Sequence, residues 1–159
     1  MGAKGEEYAK RFEAKAAGAA TVLEKLSDAD WKKTTAAEKW TVAATAHHVA
    51  RSYEPITHII KTLAAGEALP HFTPQMLDEM NAQHARDFAS CSRGETIELL
   101  RKGAASTAAM LRSLSDAELA KSGTVFAGLP PMTAEDMVKR AILDHIDEHF
   151  GSIRATVGS

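Results

Sequence analysis

The chain has 159 residues, 45% hydrophobic and 25% charged, an ordinary composition for one globular domain spanning 1–159 and long enough to bury a core. Lys and Arg number 19 against 21 Asp and Glu, a formal charge of −2; nucleic-acid binding, which normally shows as a clustered basic face, is not expected. Cys91 is the single cysteine, so an intramolecular disulfide is excluded and a reducing, cytoplasmic setting is expected.

Helical periodicity runs almost throughout. Roughly Glu6–Leu26 places Tyr8, Phe12, Ala16, Ala19 and Leu23 at helical spacing, and Ser27-Asp28-Ala29-Asp30 breaks it. The second helix is predicted over Thr41–Ala65, with Thr41 as N-cap, a fade at Gly66 and Pro70, and Pro55 inside it as a kink or a lost hydrogen bond. A third begins near Thr73-Pro74, with Leu77, Met80, Asn81, His84 and Phe88 as its inner stripe. Cys91–Gly94 reads as a turn. Glu95–Leu114 is the fourth helix, and Gly123–Met132 is a loop. Thr133 opens the last helix, with Glu135 and Asp136 in its first turn to suit the helix dipole. This pattern predicts an all-α chain with about four core helices and no sheet of consequence. Its alanine-rich faces, which pack closely, admit a homodimer. No apolar run approaches the roughly 20 residues of a membrane-spanning helix, and Met1–Glu7 lacks the apolar centre of a secretion signal.

One hexapeptide occurs almost twice. Leu26-Ser-Asp-Ala-Asp-Trp31 and Leu114-Ser-Asp-Ala-Glu-Leu119 each close a long helix before a loop that leads to a histidine-bearing helix. The local pattern is common at helix ends, but its parallel placement fits two pseudo-symmetric halves.

Histidines carry the chemistry. In Thr133–Thr156 the residues Met137, Val138, Ala141, Ile142, Ile146 and Ile153 share one face. At roughly 100° per residue, His145 and His149 fall near the middle of that apolar arc, at about 80° and about 120° from Met137. Two imidazoles at i, i+4 stack on one side of a helix and need a partner if buried. A single inward histidine is more often a hydrogen-bonded core residue. A centred pair, joined by an inward histidine on another helix, points to a metal. On the second helix His47 and His48 are adjacent and diverge by about 100°. His48 flanks the stripe of Val42, Val49, Tyr53, Ile56, Ile60 and Leu63, whereas His47 lies with Arg51, Glu54 and His58 on the polar face. Geometry thus selects His48 as third ligand and leaves His47 and His58 to solvent.

Two further residues are candidates with competing readings. His84 is either a proton shuttle or substrate contact on the open side of the metal, or a hydrogen-bonded core histidine. Glu148 borders the His145/His149 face; a rim carboxylate is preferred over an orienting or basic group. Asp144 and Asp147 point outward, and Trp40 and Tyr53 read as packing. His145 is followed by Ile146, which excludes the His-Glu-x-x-His protease motif, and no histidine has Glu three residues before it, as paired di-iron bundles require.

Trp40-Thr-Val-Ala-Ala-Thr-Ala-His-His48 and Leu143-Asp-His145-Ile-Asp-Glu-His149-Phe-Gly-Ser-Ile153-Arg, with Asn81 and the two Leu-Ser-Asp-Ala turns, resemble the signatures of the DinB-like (DinB/YfiT) superfamily. The resemblance spans nearly the whole chain. It implies an all-α, up-and-down-type four-helix bundle, sometimes dimeric, holding one divalent ion, zinc or nickel foremost, on His48, His145 and His149. The related mycothiol-dependent maleylpyruvate isomerases carry Glu at one ligand position, where this chain keeps His145. The implied activity is that of a thiol S-transferase-like enzyme, in which the ion activates a low-molecular-weight thiol, such as mycothiol or bacillithiol, towards a small electrophile. The alternative is a non-catalytic metal-binding stress-response module.

Overall fold

The computed structural model describes residues 2–158. Four long helical stretches form the bundle: α1 (Ala3–Lys25), α3 (Val42–Ala64), α5 (Arg93–Ser113), and a last stretch of α7 (Ala134–Met137), a π-helical segment Val138–Asp144 and α8 (His145–Val157). One-turn helices α2 (Asp28–Trp31) and α6 (Asp116–Leu119) sit in the connections, and α4 (Pro74–Asp87) packs chiefly on α3. Among the described residues the only strands are β1 (Ser122–Gly123) and β2 (Met132–Thr133), an antiparallel pair with Ser122 opposite Thr133. No described helix is long and apolar enough to cross a membrane.

The helix starts follow the capping residues. Thr41 accepts from the Ala44 N–H, Thr73 from Met76, and Thr133 from Asp136, whose carboxylate accepts from the Thr133 N–H in return. Helix α3 runs unbroken through Pro55. Proline removes the donor that would reach the Arg51 carbonyl, but both residues are exposed and water can satisfy that oxygen. The core centres on Phe12, Leu23, Leu111, Ile142, Ile146 and Phe150, each at most 1% exposed. Gly5 lets α1 approach α5 closely, since a Cβ there would strike the Leu111 carbonyl.

The order round the bundle is α1, α5, α3, last helix. The chain therefore crosses the bundle from α1 to α3, and again from α5 to α7, instead of stepping to a neighbour. Both crossings are long connections, as such topologies require, and both use the repeated hexapeptide. Ser27 and Ser115 form the same capping box, with Asp30 and Glu118 respectively. Beyond the turns, Val42 N–H donates to Lys33 O and Ala134 N–H to Lys121 O, each at 2.8 Å. The echo is one corner built twice.

Two expectations are corrected here. Helix α4 lies outside the four-helix core, so its stripe is not an inner one: Met80 is 60% exposed, and only His84 is buried. The last helix is not regular, and Leu143, which the 100° count leaves off the arc, is 2% exposed. A π turn closes i→i+5 instead of i→i+4, and this shifts the face that follows it.

Candidate metal centre

His48 lies two turns into α3, and His145 is the first residue beyond the π segment, one turn ahead of His149. The structure brings these three together. His48 Nε2 is 2.9 Å from His145 Nε2, and ligand-capable nitrogens of the three rings all lie within 4.8 Å of one another. Ring centroids are 4.6–4.9 Å apart. Burial, reinforced by the neighbouring imidazoles His145 and His149, pushes the His48 pKa down to about 3; burial and then His149 push His145 to about 4. Both rings are thus neutral at neutral pH, the form that binds a metal.

Glu38 completes the arrangement, and it was not among the residues singled out from sequence. Its Oε2 lies 2.7 Å from His149 Nδ1, and the Ser152 hydroxyl donates to its Oε1 at 2.6 Å. Burial pushes the Glu38 carboxyl up, but hydrogen bonds from Ser152, His149 and Thr35 outweigh this and hold it below the usual carboxylate range. With Nδ1–H donated to the carboxylate, His149 keeps Nε2 free. Trp40 packs on the same rings, edge-on to His48 at 5.2 Å and stacked with His149 at 6.1 Å.

The loop that delivers Glu38 and Trp40 is tightly closed. Thr34 bridges Thr41, Thr35 N–H donates to Trp40 O at 2.8 Å, and Lys39 N–H donates to Thr35 O at 3.1 Å. Lys39, between Glu38 and Trp40, has φ 61°, the only non-glycine residue described with positive φ. Such a conformation costs a residue with a Cβ about 1–2 kcal/mol, and strain of this kind persists only where the surroundings over-determine it.

His47 corrects the sequence reading. It is half-buried instead of facing solvent: its Nδ1 lies 2.8 Å from His84 Nε2, and its ring stacks on Phe88 at 4.0 Å. Helix α4 covers the face that the periodicity of α3 leaves polar. His58 is exposed as expected. His84 is 8% exposed, its ring centroid is 5.9 Å from that of His48, and its Nδ1 is buried without a partner among the described residues. Burial and then His47 push its pKa down to about 4. Glu148 is exposed and, among the described residues, hydrogen-bonds none of the cluster; Asp147 pairs with Lys15 at 2.6 Å. Cys91 sits in the turn between α4 and α5, its thiol pushed up by burial and directed to Ala43 O and Thr96.

The donor set fits a divalent ion. Tetrahedral bonds of about 2.0–2.1 Å space coordinating nitrogens by about 3.3 Å; here His48 Nε2 and His145 Nε2 are 2.9 Å apart, and the nitrogens of all three rings lie within 4.8 Å of one another. Three imidazoles, one backed by a carboxylate, are the usual equipment of a site that keeps a position open for a reactant. A consequence for stability follows. His48, His84 and His145 have folded-state values below the 6.5 of a free imidazole, so below that pH the unfolded chain binds more protons than the folded one. Stability is whole above about pH 7 and is lost as pH falls towards about 4. The urea midpoint of the metal-free protein should drop between about pH 7 and about pH 5, where carboxylates stay largely ionised; a constant midpoint would contradict these assignments.

Comparison with known proteins places the fold. YfiT from Bacillus subtilis, described as a probable metal-dependent hydrolase with an unusual four-helix bundle topology, superposes with a TM-score of 0.75 at 18% identity, over 97% of this chain and 87% of that one. A mycothiol-dependent maleylpyruvate isomerase superposes with a TM-score of 0.73 at 14% identity, over 94% of this chain and 60% of the other. At these identities the likeness is one of fold. No protein of curated function matches the sequence. The sequence model of the DinB superfamily covers residues 11–153, and the chain belongs to that superfamily.

Proposed function

We propose that His48, His145 and His149 hold one divalent ion, zinc or nickel foremost, and that the protein is a thiol-dependent transferase-like enzyme acting on a small electrophile. The observation that carries this reading is a convergent three-histidine cluster to which, among the described residues, no fourth protein ligand belongs. Imidazole donors suit zinc and nickel alike. When bound, such an ion favours the thiolate form of a thiol at neutral pH. The protein's own residues do the rest. His149 is held by Glu38, Trp40 walls the rings on one side, and His84 offers a buried, unpartnered Nδ1 for a substrate group or a proton. Glu148, exposed on α8, is left as a rim carboxylate. Cys91 supplies no nucleophile, because burial keeps its thiol protonated and its contacts lie elsewhere. The superposed isomerase is described as mycothiol-dependent, which supports a thiol as co-substrate.

Cobalt substitution tests the reading. Cobalt-loaded protein should develop a sulfur-to-metal charge-transfer band on addition of a physiological thiol, and Cys91→Ser should leave that band unchanged. If no low-molecular-weight thiol perturbs the visible spectrum at millimolar concentration, the transferase reading fails and a non-catalytic metal-binding module replaces it.

A further inference from the structure

Of the three histidines, only His149 has its outer nitrogen engaged. Among the described residues His145 Nδ1 is buried with no partner, whereas His149 Nδ1 faces the Glu38 carboxylate at 2.7 Å. Glu38 is itself immobilised. Its side chain is 8% exposed, its second oxygen accepts from Ser152 one turn beyond His149, and the backbone after it turns through the left-handed conformation of Lys39. A carboxylate accepts and cannot donate, so of the two neutral tautomers of His149 it admits only the one with the proton on Nδ1. The lone pair is then on Nε2.

We propose that Glu38 is a positioning residue: presented by the left-handed turn at Lys39, it fixes His149 in the Nδ1–H tautomer and so commits Nε2 to the centre before any ion arrives. The inference rests on the reading of His48, His145 and His149 as ligands, but the tautomer is a property of the metal-free chain. Without Glu38 a neutral imidazole favours neither ring position strongly, and part of the population presents Nε2–H, which cannot coordinate. Supporting groups of this kind change metal affinity by about 10–100-fold.

Glu38→Gln is the decisive variant, since it keeps shape and reach. Its amide offers one donor face and one acceptor face, and it no longer dictates which ring nitrogen bears the proton. Long-range proton–nitrogen correlation spectra of the metal-free protein, labelled with nitrogen-15, read the His149 tautomer directly. Zinc titration of the same samples reads affinity. The neutral His149 ring of the wild type should show Nδ1–H alone. Glu38→Gln should show a mixture of tautomers with about tenfold weaker zinc binding, and Glu38→Leu should weaken binding by up to about 100-fold. Wild-type tautomer and affinity in Glu38→Gln would overturn the proposal, even if Glu38→Leu fails to fold. Wild-type protein that binds no zinc would instead overturn the ligand assignment, while its tautomer would still report on Glu38.

Discussion

Alanine at His48, His145 or His149 should each empty the centre, taking metal content from about one ion per chain towards zero in elemental analysis of protein loaded and then desalted. The loss at each position should exceed the about 10–100-fold that removal of a supporting group costs, because a three-donor site with one donor gone retains only a pair. His58→Ala should change nothing, since that ring is exposed. His47→Ala is the informative control. Its ring supports His84 and not the cluster, so metal should be retained. Loss of metal in His47→Ala with retention in His48→Ala would reverse the assignment.

A second large effect is expected in the core. Phe12 is fully buried and meets Tyr53 edge-to-face with ring centroids 5.3 Å apart. Tyr53 depends on that packing, because its hydroxyl is buried without a partner among the described residues. Phe12→Ala should therefore cost about 3–5 kcal/mol, a large share of the about 5–15 kcal/mol that holds a typical domain folded. Urea denaturation at neutral pH measures it. A loss below about 1 kcal/mol would mean that the bundle collapses into the space left by the ring.

Most helices were legible because apolar spacing and caps agree. Thr41, Thr73 and Thr133 each precede a periodic run, and each caps the helix that follows. The inward direction of His48 was also legible, since adjacent residues on a helix must diverge. The fate of His47 was not. It depends on α4 docking over a face that α3 alone leaves polar, which is a tertiary event without local signal. Glu38 was illegible for a different reason. It lies in Thr34–Lys39, a short stretch without periodicity that ends on a backbone conformation lysine rarely takes. The crossing order round the bundle was hidden too, because periodicity shows which face is buried but not which neighbour buries it. A 100° count likewise assumes an unbroken α ladder, and Val138–Asp144 departs from it.

That π segment makes the site a matter of arithmetic as well as chemistry. Ala134–Met137 is clamped at the crossing corner and fixes the start of the last helix, so the direction in which His145 and His149 leave the axis is set by how many residues lie between. A variant lacking one residue of Val138–Asp144 could pack as an ordinary helix with every imidazole still present in the chain. Its histidine pair would still face His48, because a π segment holds about one residue more than the α turn it replaces. A residue gained there without a further π turn would rotate the pair by about 100°, so one added codon can empty such a centre without touching a ligand.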